Sequence, residues 1–402
     1  MNMTSNKNES KKFKVCLISM TPVGGFKSFL ENIVQRLSDT NFEVTILSLS
    51  KNNDIDIPYA RKRVFELDDY SNCEALTVGE RLKNLVERFL FRMKGKHTDK
   101  EILKHNLYNS QLKAISRAKS CAGKVDLSEY DCVISAEEVT CNYFLAYSVI
   151  AKRKIGYIHP DYNNVPYNRR IEKTALSRLD YICATSKANA ESIRKAIPKL
   201  KNKVVGVPNP IDIKTILQKS DESIKEAFNS DVVNLITVCR LDNTYKALDR
   251  LVSVAQKLKD GGDKFIWRVV GDGEYNDTMR SFIKEHQLQD CVIMLGAKDN
   301  PIPYVKHSDL FVLQSYSEGY PMSVLEAMAV DTPVLVTDYP SSSEQVDNGM
   351  TGFIVSNNFD SVYEKIHYLI NHKDELHQIE INLQDMDKSR LYNIDNLLDI
   401  ME

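Results

Sequence analysis

The order strand, loop, helix, strand between residues 310 and 337 constrains this chain most. Leu310-Phe-Val-Leu313 and Pro333-Val-Leu-Val-Thr337 read as strands, and Ser315-Tyr-Ser-Glu-Gly-Tyr-Pro-Met-Ser-Val-Leu-Glu-Ala-Met-Ala329 reads as a loop running into a helix. Proline is tolerated in the first helical turn and Gly319 permits a close approach just before it, so the helix is expected to start at Pro321. Two strands joined through a helix belong to a parallel sheet, and ligands on such sheets bind beyond the carboxyl ends of the strands.

The same alternation runs along the rest of the chain. Phe13-Lys-Val-Cys-Leu-Ile-Ser19 is a strand, Met20-Thr-Pro-Val-Gly-Gly25 a loop, Phe26 to Leu37 an amphipathic helix, and Phe42-Glu-Val-Thr-Ile-Leu-Ser48 the next strand. Asp131 to Ser135, a helix through Tyr143 to Ile150, and Lys154 to Ile158 continue it, with His159 at the exit of the last strand. Val204 to Asp212 closes the first half with a strand and a proline-rich turn. Val232 to Cys239, a helix ending at Lys259, Phe265 to Val270 and Val292 to Leu295 open a second sheet of five or so strands. A chain of 402 residues exceeds one ordinary core and suits two domains of about 200 residues each. The expected fold is therefore α/β, with two doubly wound Rossmann-like domains at 1–210 and 211–388 and a short terminal helix at 389–402.

Composition narrows the function classes. A net charge of −2 creates no global attraction to nucleic acid, and no nucleic acid is expected as partner. Eight cysteines stand singly, several inside apolar runs, which reads as reduced, buried thiols of a cytoplasmic protein. No apolar run nears the roughly 20 residues that span a bilayer.

Residues 81–124 differ, carrying twelve Lys or Arg against three acids. Phe89, Leu90, Phe91 and Met93 interleave there with Arg88, Arg92, Lys94 and Lys96. An apolar and basic helix of this type can lie on an anionic membrane surface, so a peripheral association with the inner membrane face is expected, against the alternatives of a solvated insertion and of a nucleic-acid contact, for which no recognised motif is present.

Glu318 is expected on the loop and Glu326 inside the helix, where the amides of Met322, Ser323 and Val324 are free donors suited to a diphosphate. Carboxylates beside a phosphate need hydroxyls to accept from, and sugar or ribose hydroxyls are the obvious candidates. An ordinary helix start flanked by acids is the alternative. Arg240 follows a strand and Lys246 comes six residues later, so both are expected at a strand's carboxyl end, able to neutralise a leaving diphosphate. Gly24 and Gly25 either make a tight turn or approach a substrate closely. The dinucleotide Gly-x-Gly-x-x-Gly pattern is absent, which disfavours a dehydrogenase, and no Asp-x-Asp pair follows an apolar strand. Asp68-Asp69 lies in a polar stretch. No metal is expected.

The segment from Glu318 to Glu326 resembles the Glu-x7-Glu signature of retaining, nucleotide-sugar-dependent glycosyltransferases of the group 1 family, family four in the usual numbering. The resemblance extends from Arg240 through Gly271-Asp-Gly273 to Gly349-Met-Thr-Gly352. It implies a GT-B fold, with two domains facing across a cleft and the last helices crossing back onto the first. It also implies that Glu326 accepts from ribose hydroxyls and Glu318 from the donor sugar. Gly319, Tyr320, Pro321, Met322, Ser323 and Val324 would bring backbone amides to phosphate and sugar. Gly24 and Gly25 would face donor phosphates or acceptor, His159 would stand near the reacting sugar, and Gly271 would border the nucleotide cleft. The implied donor is a nucleoside diphosphate hexose, most often UDP-linked. The implied acceptor is a glycan or lipid-linked molecule of surface polysaccharide assembly, with no further cofactor. A nucleotide-sugar epimerase and a non-catalytic nucleotide-sugar sensor are the competing readings.

Overall fold

The computed structural model describes residues 12–20, 25–38, 42–49, 57, 60–64, 98–226 and 228–402. Strands β1 (Phe13–Ser19), β2 (Phe42–Ser48), β3 (Arg61–Val64), β5 (Cys132–Ser135), β7 (Lys154–Ile158), β8 (Tyr181–Ala184) and β9 (Val204–Gly206) form one sheet in the order β3-β2-β1-β5-β7-β8-β9. The short strands β4 (Val125–Asp126) and β6 (Val149–Ile150) pair beside it. A second sheet has the order β12-β11-β10-β13-β14-β15. Its strands are β10 (Val233–Val238), β11 (Phe265–Val270), β12 (Val292–Gly296), β13 (Leu310–Leu313), β14 (Val334–Thr337) and β15 (Gly352–Val355). Every recorded pairing is parallel.

Parallel strands covered on both faces must be apolar throughout, and β13 and β14 are buried at every position. Trp267 in β11 is fully buried and donates its indole N–H to the Thr237 hydroxyl at 3.0 Å, which satisfies the one polar group of that side chain. In the second sheet strand order reverses between β10 and β13. The loops leaving these two strands therefore diverge and open a crevice at their carboxyl ends.

The chain passes from the first core to the second between Val207 and Ile211 and returns between Leu391 and Ile394. The helix Asp395–Met401 then lies in the core of the first sheet through Ile394, Leu397, Ile400 and Met401. Each such burial is worth about 1.5–3 kcal/mol before entropy is counted. Asn396 donates to the Gly206 carbonyl at 2.9 Å and Arg153 to the Ile400 carbonyl at 2.9 Å, fixing the helix to β9 and to the loop before β7.

Several local expectations are corrected. The helix expected through Ile150 ends at Tyr147, because the β-branched pair Val149-Ile150 joins Val125-Asp126 as strand. The helix expected from about Lys246 to Lys259 is Leu248–Asp260, and the loop expected before it carries a one-turn helix, Asn243–Lys246, set off by Ala247 in a left-handed conformation (φ 51°). The second sheet, expected to have five or so strands, has six, with β15 at its edge. The terminal segment is a 3₁₀ turn, Lys388–Leu391, followed by the helix Asp395–Met401.

Within the basic region, residues 81–97, including Arg88, Phe89, Leu90, Phe91, Arg92, Met93, Lys94 and Lys96, lie outside the described residues. Its second half is the helix Asp99–Ser120, started by a reciprocal capping box between Thr98 and Glu101. Gln111, Ala114, Ile115 and Ala118 are buried on one side of it, and Ala114, Ile115 and Ala118 pack with Tyr143 and Ala175. Gln111 donates to Glu172 at 2.9 Å and Tyr143 also donates to that carboxylate; burial pushes Glu172 up to about 7. No helix among the described residues is long and apolar enough to cross a membrane.

Candidate active site

The crevice of the second sheet is built from two loops. Leaving β10, the chain turns through Cys239 and Arg240 into the one-turn helix Asn243–Lys246, whose start is capped by Asp242 accepting from the Thr244 amide at 3.0 Å. Leaving β13, it runs from Gln314 to Pro321 and enters the helix Met322–Ala329. The two loops are tied by the Tyr316 amide donating to the Tyr245 carbonyl at 2.7 Å.

Lys246 and Glu318 meet across this crevice, Nζ to Oε1 at 2.5 Å, with side chains only 19% and 11% exposed. Burial opposes the lysine's charge. The charge and hydrogen bond of Glu318 outweigh it and hold the ammonium above its ordinary range. Ser315 donates to the same carboxylate oxygen at 2.5 Å. Arg240 turns outward, 71% exposed, and donates to the Asp242 carboxylate at 2.7 Å. Gly271, at φ +144°, follows β11, and a Cβ there would stand 1.9 Å from the Cys239 carbonyl oxygen. Only glycine lets the two loops touch here.

Pro321 is the N-cap residue of the helix Met322–Ala329, with no side chain capping the terminus. The amides of the first turn, Met322, Ser323 and Val324, carry the positive end of the helix dipole. The Pro321 carbonyl accepts from Gln345 at 3.0 Å, and the carbonyl of the buried Tyr320 from Asn209 at 3.2 Å. Glu326 is half-buried within the helix. Burial pushes its carboxyl up to about 7, with Lys219 drawing it down and Glu31 of the first domain raising it further.

From the first domain, His159 leaves β7 against Phe26, Phe29 and Tyr157, its Nε2 2.8 Å from the Ala136 carbonyl. Its own carbonyl accepts from Thr185 at 3.0 Å and faces Gly319, where a Cβ would lie 1.8 Å from that oxygen. The two domains thus touch backbone to backbone between the two residues expected at the reacting sugar. Gly25 begins the helix Gly25–Ser38, and Gly24 lies outside the described residues.

Further contacts across the domains escape sequence reasoning, because they join residues more than 100 positions apart. Asn164 donates to Ser317 at 2.9 Å, and Ser317 to Asp161 at 3.3 Å. Glu344 accepts from the amides of Lys187 and Ala188 at 2.8 and 2.7 Å, placing a carboxylate on the start of the helix Lys187–Ala196 in the other domain. Ser315 was within reach of sequence reasoning, since it stands three residues before Glu318 on the same loop.

Residues 218–386 match the family model described as glycosyl transferases group 1. An uncharacterised glycosyltransferase of Methanocaldococcus jannaschii is 29% identical over 170 residues, 42% of each chain. The N-acetylgalactosamine-N,N'-diacetylbacillosaminyl-diphospho-undecaprenol 4-alpha-N-acetylgalactosaminyltransferase of Campylobacter jejuni is 26% identical over 194 residues, covering 48% of this chain and 50% of that one. The chain thus spans about half the length, or less, of these relatives. Over the whole length, a crystal structure of an S. aureus TarM mutant in complex with fondaparinux, alpha-GlcNAc-glycerol and UDP superposes with a TM-score of 0.68, at 14% identity, covering 96% of this chain and 98% of that one. The architecture is the GT-B fold.

Proposed function

Starting from a second domain that belongs to the group 1 glycosyl transferases, we propose that this protein moves a hexose-type sugar from a nucleoside diphosphate donor, UDP-linked, to a glycan or lipid-linked acceptor in surface polysaccharide biosynthesis. The reaction retains anomeric configuration and needs no metal. The observation that carries the reading is the buried Lys246–Glu318 pair beside an uncapped helix start, closed over by His159 from the opposite domain. The diphosphate-linked acceptor in the name of the Campylobacter relative and the UDP in the TarM complex support it.

In this mechanism the diphosphate lies at the first turn of Met322–Ala329. As the bond to the sugar breaks, negative charge grows on the leaving oxygen. The protonated Lys246 and the exposed Arg240 meet that charge, the role of cationic groups set at a site of developing charge. Glu318 is oriented by Lys246 and Ser315 and accepts from hydroxyls of the sugar, while Glu326 accepts from the ribose. The acceptor hydroxyl attacks from the face the diphosphate leaves, and its proton passes to the leaving diphosphate oxygen. Neither glutamate is a nucleophile. The basic stretch 81–97 brings the protein to an anionic membrane carrying the acceptor.

A screen of UDP-hexoses, reading UDP release with and without candidate acceptors and with EDTA, tests the reading. Acceptor-dependent release that survives EDTA is expected. Conversion of the sugar without acceptor would identify an epimerase instead, and loss of release restored by Mg²⁺ or Mn²⁺ would overturn the metal-free mechanism.

A further inference from the structure

The loop after His159 is held firmly in the first domain. Asn189 accepts from the Tyr162 amide at 3.0 Å and donates to the Pro160 carbonyl at 3.0 Å, and Asn163 donates to Ser192 at 2.9 Å. Asp161, only 4% exposed, organises what this loop presents to the other domain. One carboxylate oxygen accepts from the Asn163 amide at 3.1 Å; the other accepts from the Asn164 side chain at 2.7 Å and from Ser317 at 3.3 Å. Asn164 also donates to Ser317 at 2.9 Å, so Asp161, Asn164 and Ser317 form a closed triangle across the domain boundary.

Ser317 immediately precedes Glu318, and Gly319 immediately follows it. The first domain therefore meets the loop on both sides of Glu318, through the Ser317 hydroxyl in the triangle and through the close approach of the His159 carbonyl to Gly319. The second domain holds the Glu318 side chain, through Lys246 and Ser315, and the loop backbone further out, at Tyr316 through the Tyr245 carbonyl and at Pro321 through Gln345.

We infer that Asp161 is a positioning residue that couples closure of the two domains to the placement of Glu318. The inference rests on the glycosyltransferase reading. Without the first domain Glu318 is held from its own side alone, by Lys246 and Ser315, and the triangle adds a constraint on the adjoining residue from the opposite side of the cleft. Nucleotide binding to the second domain does not need this contact, whereas the reacting geometry does. A misplacement of a reacting group by about 1 Å costs on the order of a hundredfold in rate.

The test compares wild type, Asp161→Ala, Ser317→Ala and the double variant. It reads UDP release from the best UDP-hexose, UDP affinity by calorimetry, and the unfolding midpoint. Each single variant is expected to lower kcat at least tenfold while UDP affinity stays within about twofold. The double variant is expected to be no worse than the poorer single one, because both break one linkage. Asp161→Asn, which keeps one acceptor oxygen, is expected to recover part of kcat. Wild-type kcat in Asp161→Ala and Ser317→Ala would overturn the positioning role while leaving the glycosyltransferase reading intact. A parallel fall of kcat, UDP affinity and unfolding midpoint would also overturn it, as the mark of a merely structural residue. Absence of turnover of any nucleotide sugar by the wild type would instead remove the glycosyltransferase reading, and the positioning role with it.

Discussion

Replacing Lys246 by alanine separates what the Lys246–Glu318 pair does for the fold from what it does for the reaction. The pair is compact and nearly dry, at 2.5 Å with the carboxylate 11% exposed. Removing one member of a buried pair costs about 3–5 kcal/mol, because the other charge stays behind without its partner. Here the lower end applies, since Ser315 still donates to Glu318 and both side chains keep some water. In catalysis the loss is of transition-state charge stabilisation, about 3 kcal/mol or roughly a hundredfold in rate. The two losses respond differently to a second substitution. Adding Glu318→Gln removes the stranded charge, so urea denaturation should show most of the lost stability regained. Turnover, read as UDP release at saturating donor, should stay at or below that of Lys246→Ala. Wild-type turnover in Lys246→Ala would refute the assignment of its charge to the leaving diphosphate.

Glu326 gives a pH signature. With its carboxyl held up to about 7 by burial, and ribose hydroxyls donating more strongly to the carboxylate than to the neutral carboxyl, UDP affinity should rise between pH 6 and 8, by up to about tenfold, and lose that dependence in Glu326→Gln, as calorimetry would read. Because this folded-state value lies above the ordinary 4.5, ionising Glu326 opposes folding: its contribution is intact below 4.5 and is lost as pH rises through about 7, so Glu326→Gln should gain on wild type in denaturation above neutrality. Gly319→Ala sets a methyl 1.8 Å from the His159 carbonyl oxygen, which as backbone has little room to yield, so kcat should fall at least a hundredfold with UDP affinity changed far less; unchanged turnover would mean the domains need not touch there. Charge reversal at Arg88, Arg92, Lys94 and Lys96 should release the protein from anionic vesicles in a sedimentation assay, and equal partitioning of variant and wild type would remove the membrane surface as partner.

The elements that local pattern determines were legible. β11 runs from Phe265 to Val270, as its apolar run indicates, and the Gln314–Pro321 loop enters its helix where the proline requires. The one-turn helix Asn243–Lys246 and the left-handed Ala247 after it were not, because alanine has a strong helix preference and nothing in its neighbours marks a turn there. The helix Asp99–Ser120 shows a different failure. Gln111, Ala114, Ile115 and Ala118 have the spacing of one helical face, but two of the four are alanines, and the surrounding lysines and arginines dominate any reading by charge. Glu318, Glu326 and Lys246 could be named from their neighbours in sequence. The partners that come from the other domain, Asp161, Asn164 and the His159 carbonyl, leave no mark near Glu318, since contacts across more than 100 residues have no local period.

The return of the chain to its first domain also fixes how the cleft can open. A body joined to another at one point can swing and twist in any direction, whereas two joints leave only rotation about the line between them. Here the outgoing and returning segments run side by side, the Ile211 amide donating to the Leu391 carbonyl at 3.1 Å, and the far end is clamped under the first sheet by Leu397 and Met401. The domains are thus two leaves of a door with a short double hinge. Any opening about that hinge would part Ser317 and Gly319 from Asp161 and His159.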